Sequence, residues 1–253
     1  MKKIILTGGA NGIGRALVES FVDKVELYVI DRDQEAGEAL EKRLSSPHLH
    51  FFYGNLADKA TLEAFVNFIT EHTSQIDGLI HNAAINHGGL VSKATYEEFM
   101  EVLQVNVGTA YYLTQQLEPY FSDPCSIILM SSTRNRQSME DNESYSSSKG
   151  ALLSLTHAMA NSLRTKARVN TISPGWIETS DFQTPRQAVE LSGSDHSQHL
   201  VGRVGHPTDI VEMVAFLLDE KKSGFITGQE FLVDGGMSKQ MIYHEEHGWN
   251  YSK

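Results

Sequence analysis

Seven short apolar runs alternate with segments of helical character along almost the whole chain, and this order limits the possible folds more than any other feature. The runs are Lys3 to Thr7, Glu26 to Asp31, Leu49 to Tyr53, Gly78 to Asn82, Ser126 to Ser131, Arg168 to Ser173 and Glu230 to Val233. Several are apolar throughout, as strands buried on both faces require. Between them Ile13 to Val22, Asp33 to Leu44, Leu62 to Glu71, Glu97 to Leu117, Tyr145 to Leu163 and Asp209 to Leu218 read as helices. Such alternation predicts an α/β fold, a doubly wound parallel sheet with helices on both faces. No Pro/Ser/Gly-rich linker interrupts the 253 residues, so residues 1–253 are expected to form a single domain. Right-handed crossovers then gather the loops that follow the strands along one edge, where ligands bind. The polar stretch 180–204 breaks the alternation and is expected to be a substrate lid. The tail 237–253, with Met237, Met241, Ile242, Trp249 and Tyr251, is expected to dock on its own subunit or a neighbour.

Charge narrows the partners. With 21 basic against 32 acidic residues, a formal net charge of -11 opposes binding to nucleic acid, to an anionic membrane or to an acidic protein. The single cysteine, Cys125, excludes an internal disulfide framework and fits a reducing, cytoplasmic location. No run reaches the roughly 20 apolar residues of a membrane span, and the apolar start Ile4-Ile5-Leu6 is too short for a signal-peptide core. His244-Glu245-Glu246-His247 departs from the His-Glu-x-x-His spacing and lacks an evident third ligand, so no metal site is expected.

The first loop carries Thr7-Gly8-Gly9-Ala10-Asn11-Gly12-Ile13-Gly14 between a strand and a helix, the context a dinucleotide fingerprint requires. Gly8 suits a tight turn, Gly12 admits a pyrophosphate to the backbone amides, and Gly14 allows helix to pack on strand. The second strand ends in Asp31, placed to accept hydrogen bonds from ribose hydroxyls and to repel a 2'-phosphate. This favours NAD over NADP, although Arg32 directly after it could compensate a phosphate. Asp31 could alternatively serve only as the N-cap of the next helix.

Tyr145 and Lys149 stand four residues apart on a helical stretch, with Ser132 thirteen residues before Tyr145 at the end of an apolar run. Positions i and i+4 share a helix face, so the Lys149 ammonium is expected to favour ionisation of the Tyr145 phenol. At ~4 Å and an effective dielectric of ~20, a full charge is worth at most ~4 kcal/mol, or roughly three pK units.

Together these residues resemble the short-chain dehydrogenase/reductase family in its single-domain Rossmann form. The resemblance covers nearly the whole chain. It rests on the glycine turn, Asn82-Ala83-Ala84, Asn106, Ser132, Tyr145-x-x-x-Lys149, Pro174-Gly175 with Ile177 and Thr179, and Val233-Asp234-Gly235-Gly236. It implies a sheet of about seven strands and a catalytic set of Tyr145, Lys149, Ser132 and Asn106. In that set Tyr145 is the general acid/base, Ser132 holds the substrate oxygen, Lys149 also grips the nicotinamide ribose, and Asn106 supports a water. Asn106 could instead be a helix-interior residue bonded to a nearby carbonyl. The resemblance assigns the cofactor to Gly8, Asn11, Gly12, Ile13, Gly14, Asp31, Arg32, Asn55, Leu56, Asn82, Ala83, Ala84, Tyr145, Lys149, Pro174, Gly175, Ile177 and Thr179. It also implies a homodimer or homotetramer.

Three positions depart from the commoner family pattern. Ala84 replaces a glycine, Asn55-Leu56 stands where Asp-Val is usual, and Thr133-Arg134-Asn135-Arg136-Gln137 follows Ser132 without the frequent glycine. The loops expected over the substrate are polar, with Asn86, His87, Arg134, Gln137, Glu140, Trp176 and Asp181 as candidate contacts. A sugar or polyol would use these groups, whereas a steroid or long acyl chain would leave them unpaired. The expected activity is NAD-dependent interconversion of a secondary alcohol and a ketone. The alternatives are an NADP-dependent reductase of carrier-bound 3-oxoacyl groups, and a dinucleotide-binding sensor without turnover.

Overall fold

The computed structural model describes residues 1–187, 189–241, 243 and 245. Seven parallel strands form one sheet in the order β3-β2-β1-β4-β5-β6-β7. They are β1 Lys2–Thr7, β2 Val25–Asp31, β3 Leu49–Tyr53, β4 Ile76–His81, β5 Phe121–Met130, β6 Ala167–Pro174 and β7 Glu230–Val233. The order reverses between β1 and β4, which opens a crevice at the carboxyl ends of these two strands.

Side-chain alternation along the strands divides the interior into two cores. Ile4, Leu6, Leu27, Val29, Ile80, Ile128, Met130 and Ile172 point to one face. There they meet α1 (Gly12–Phe21), α2 (Gln34–Leu44) and α8 (Pro207–Leu218) through Leu17, Leu40 and Val214. Ile5, Tyr28, Ile30, Leu79, Ile127 and Leu129 point to the other face. They pack on α3 (Lys59–His72), α5 (Thr109–Leu117) and α6 (Glu143–Ser162) through Phe65, Leu113 and Leu152. Because both faces are dry, strand positions of either parity are apolar, which is why the runs read as continuous rather than alternating.

The stretch Glu97 to Leu117 is not the single regular helix that its periodicity suggests. It divides into α4 (Tyr96–Leu103), a π-helical turn Gln104–Gly108 and α5. The extra residue in the π turn changes the phase of the helix at Asn106, whose side chain is held by partners from two other elements. Thr95 starts α4 with a capping box, its side chain accepting from the Glu98 amide while Glu98 accepts from the Thr95 amide. Likewise α3 begins at Lys59 rather than Leu62, because the Asp58 carboxylate caps it by accepting from Ala60 N.

The stretch 180–204 contains a 3-10 turn at Ser180–Phe182 and a short helix α7 (Gly193–Ser197). Its start is tied to α1: Arg15 Nη1 donates to Gln183 O at 3.1 Å and to Thr184 Oγ1 at 3.0 Å. A last short helix, α9 (Glu220–Ser223), precedes β7. In the tail, Met237 is half-buried and Met241 is exposed, while Ile242, His244, Glu246, His247, Trp249 and Tyr251 lie outside the described residues. No helix among the described residues is long and apolar enough to cross a membrane.

Candidate active site

The glycine loop takes backbone that other residues would strain. Gly8 and Gly12 have φ of 73° and 60°, in the left-handed region. At Gly14 the constraint is space, since an added Cβ would lie 1.7 Å from the Gly8 carbonyl oxygen. The loop is braced by the chain that leaves β4. Asn82 Nδ2 donates to Gly8 O at 2.8 Å, and Thr7 Oγ1 accepts from the amides of Asn82 and Ala83 at 3.1 and 3.0 Å. Asn11 bridges outward, donating to Asp33 Oδ2 at 2.7 Å and accepting from Thr184 N at 2.9 Å.

Asp31 closes the far side of this groove. Its Oδ2 accepts from Ala10 N at 2.8 Å and its Oδ1 from Asp33 N at 3.0 Å. The cap of α2 is Asp33, which accepts from Ala36 N at 3.0 Å, so the capping role belongs to Asp33 and leaves Asp31 facing the glycine loop. Gly8, Asn11, Ile13, Asp31, Arg32, Asn55, Leu56, Asn82, Ala83, Ala84 and Thr179 line one groove of about 400 Å³. Asn55 uses its side-chain oxygen in a local turn, accepting from Ala57 N at 3.1 Å. Left-handed glycines, open backbone at the start of α1 and an acidic group at the end of β2 fit a dinucleotide.

The residues on β5 and α6 meet beyond that groove. Ile13, Asn82, Ala84, Ser132, Tyr145, Lys149, Pro174, Gly175 and Ile177 line a smaller cavity of about 180 Å³. Lys149 is buried, and its Nζ donates to Met130 O at 2.8 Å and lies 5.1 Å from the centre of the Tyr145 ring. Asn106 is also buried. Its Oδ1 accepts from Ile85 N at 2.8 Å, and its Nδ2 donates to Ile85 O at 3.0 Å and to Ser148 Oγ at 2.9 Å. These partners are far away in sequence, so Asn106 ties the loop after β4 to α6 rather than bonding within its own helix.

The electrostatics differ from the sequence expectation. Burial raises the Tyr145 phenol above its ordinary pKa, opposed by hydrogen bonding with Ser132 and by the positive charge of Arg134. Burial also lowers Lys149 to about 7, so at neutral pH the amine is only partly protonated. The expected depression of Tyr145 by Lys149 is not seen: burial raises the phenol, and the same desolvation weakens the ammonium that would oppose it. An anionic group placed in the groove would restore it by favouring protonated Lys149.

A third cavity of about 500 Å³ opens beyond Ser132, with Arg134, Gln137, Trp176, Gln198 and Met237 in its wall. It shares Ser132, Gly175 and Ile177 with the cavity around Tyr145, which in turn shares Ile13, Asn82 and Ala84 with the groove. The three cavities therefore adjoin one another across these shared walls. The other candidate substrate residues are engaged elsewhere. His87 Nε2 pairs with Glu101 at 2.9 Å, Asp181 pairs with exposed Arg186, and Asn86 accepts from Gly88 N at 3.1 Å. Glu140 is exposed and outside the wall of this cavity.

Sequence reasoning missed the clamp behind Ser132. Glu230, on β7, accepts from Asn135 Nδ2 and Ser173 Oγ, both at 2.7 Å, and forms an ion pair with Arg136. A charged residue in a β-strand next to an apolar run was the available signal, but only the sheet order brings β7 to this loop.

The arrangement has parallels among known proteins. The family model described as enoyl-(acyl carrier protein) reductase matches residues 8–238. The chain belongs to the short-chain dehydrogenase/reductase family. An uncharacterized oxidoreductase of Thermotoga maritima is 39% identical over 252 residues, covering 96% of this chain and 98% of that protein. Mouse L-fucose dehydrogenase is 30% identical over 245 residues, covering 93% of this chain and 88% of the enzyme. Among solved structures, an apo SCOR enzyme from Clostridium thermocellum superposes with a TM-score of 0.89 at 37% identity, covering 100% of this chain and 99% of that one. As a member of this family the chain is an oxidoreductase that uses NAD or NADP.

Proposed function

We propose that this oxidoreductase is an NAD-dependent dehydrogenase that interconverts a secondary alcohol and a ketone on a polar small molecule of the sugar or polyol class. One observation carries the reading: three adjoining cavities lead from Asp31, past Tyr145 and Lys149, to one walled by Arg134, Gln137 and Gln198. Ile13, Pro174, Gly175 and Ile177, which line the cavity around Tyr145, would hold the nicotinamide end of the cofactor, and that group would supply the hydride acceptor for an alcohol or the hydride donor for a ketone. Tyr145 Oη takes the hydroxyl proton in oxidation and gives it back in reduction. Ser132 Oγ donates to the substrate oxygen where negative charge develops. Lys149, once charged, stabilises the phenolate and holds the ribose. Asn106 keeps the loop after β4 and α6 in register, beside the water that leads protons to Lys149.

The preference for NAD rests on Asp31 and Asp33, which both line the groove and would meet a 2'-phosphate with carboxylates. The polar wall of the outer cavity opposes a long acyl chain, and the intact catalytic set opposes a sensor without turnover. Exposed Tyr96, Met100 and Tyr111 on α4 and α5 support assembly into a homodimer or homotetramer, and the free thiol of Cys125 supports a cytoplasmic setting. The stretch 180–204, which contributes Gln198 to the wall, acts as the lid. The test is cofactor reduction with NAD and with NADP against sugars, polyols, hydroxy acids and steroids, for the protein and for Tyr145→Phe. Turnover with NAD that falls by roughly 10²–10⁴-fold in Tyr145→Phe while NADH still binds is the expected result. Turnover only with NADP, or only of apolar ketones, would refute it.

A further inference from the structure

The outer cavity has an electrostatic character at odds with the rest of the protein. The chain carries 32 acidic against 21 basic residues, yet no Asp or Glu lines this cavity and one arginine does. Five of the nine arginines pair with a carboxylate, Arg15 and Arg43 with Glu19, Arg136 with Glu230, Arg186 with Asp181 and Arg203 with Asp209, and of the remaining four only Arg134 lines this cavity. Arg134 has no carboxylate partner among the described residues. Its guanidinium rests on the sulfur of Met139, a weak acceptor.

Arg134 is also firmly rooted. It lies in the 3-10 turn Thr133–Asn135, and its amide donates to Ser132 Oγ at 3.2 Å. The next residue, Asn135, donates to Ser131 Oγ at 3.2 Å, to Ser173 Oγ at 3.0 Å and to Glu230. A half-buried cation on a clamped turn, two residues beyond the group that would hold the reacting oxygen, suits a fixed anion on the same substrate molecule.

We infer that the substrate is a polyhydroxylated carboxylic acid whose carboxylate pairs with Arg134 in the cavity beside Ser132. This rests on the dehydrogenase reading of the same site. The planar guanidinium fork matches a carboxylate, and one fork balances its single charge. A phosphate dianion would need more positive charge, and no lysine lines the wall. Gln137 and Gln198 each offer a donor and an acceptor, as hydroxyl groups require, and Trp176 supplies a flat face for the carbon skeleton.

The experiment compares substrates of matched stereochemistry that differ only at the terminal carbon. Aldonates are set against alditols, uronates against aldoses, and sugar phosphates form a third arm, all with NAD and the full chain. A kcat/KM for the carboxylate at least about 30-fold above its neutral partner is expected, and Arg134→Gln should collapse that ratio mainly through KM. Arg134→Lys should recover part of it, since charge without the fork remains. A wild-type ratio near one, a ratio unchanged in Arg134→Gln, or a preference for phosphate overturns the inference and leaves the dehydrogenase reading standing. If no compound turns over, the dehydrogenase reading fails and binding decides the inference separately. Thermal unfolding with NADH present is then compared in gluconate and in sorbitol. A gluconate-specific rise in Tm that disappears in Arg134→Gln supports the anion site, and equal shifts in both refute it.

Discussion

Glu230→Gln tests whether the clamp on the Ser132 turn acts through the charge of its carboxylate. In the structure Oε1 accepts from Asn135 and Ser173, and Oε2 pairs with Arg136. The amide can keep the first two as neutral hydrogen bonds, each weaker by about 1 kcal/mol than its charged counterpart. The pair with Arg136 turns into opposed donors, but Arg136 is 61% exposed, so that loss is worth about 0.5 kcal/mol. The sum, about 2.5 kcal/mol, corresponds to a fall in Tm of roughly 5–10 °C for a chain of this size. Burial raises the Glu230 pKa, but hydrogen bonds from Ser173, Asn135 and Arg136 outweigh it and hold the group below the ordinary range. A lowered carboxyl pKa means the stabilisation is complete above the unfolded value of ~4.3 and is lost as pH falls through the folded one. Glu230→Gln does not titrate, so its deficit should be full at pH ~7 and should shrink on acidification below ~4.3. Calorimetry at a series of pH values, with kcat measured alongside, reads both effects. A variant as stable as wild type at neutral pH, or a deficit that does not shrink in acid, would show that the carboxylate charge holds nothing in place.

Two further outcomes follow from the same structure. Lys149→Met removes a buried amine whose pKa is lowered to about 7, and it should abolish activity while raising Tm by on the order of 5 °C at neutral pH. For a base with a depressed folded pKa the penalty is complete below the folded value and vanishes above the unfolded one. The gain should therefore be largest below pH ~7 and fade towards ~10.4, and a gain that grows with pH would contradict the burial argument. Gly14→Ala places a methyl carbon 1.7 Å from Gly8 O, so the glycine loop that lines the groove must shift. NADH affinity by fluorescence titration should drop by more than about tenfold, and unchanged affinity would show that the loop does not hold the dinucleotide.

Much of the architecture was legible because it depends on local patterns. Apolar runs buried on two faces predict parallel strands, and a left-handed turn between strand and helix demands glycine at Gly8 and Gly12. The i and i+4 spacing of Tyr145 and Lys149 likewise survives folding, because α6 is a regular helix there. The charge states were not legible, since desolvation depends on what surrounds a side chain: the Lys149 pKa falls and the Tyr145 pKa rises for the same reason, burial. The π turn at Asn106 escaped the periodicity as well, because its partners Ile85 and Ser148 come from other elements.

The sequence by itself determined the strand and helix order, the glycine loop and the placing of Tyr145 and Lys149 on one helix face, all set by spacings of a few residues along one chain. Only the tertiary structure decided which polar groups line the cavity beside Ser132. It engaged His87 and Asp181 with Glu101 and Arg186, left Arg134 in the cavity wall without a carboxylate, and brought Glu230 to the Ser132 turn. These are contests for hydrogen-bond partners between segments remote in sequence, and the sheet order β5-β6-β7 settles them by bringing those segments together.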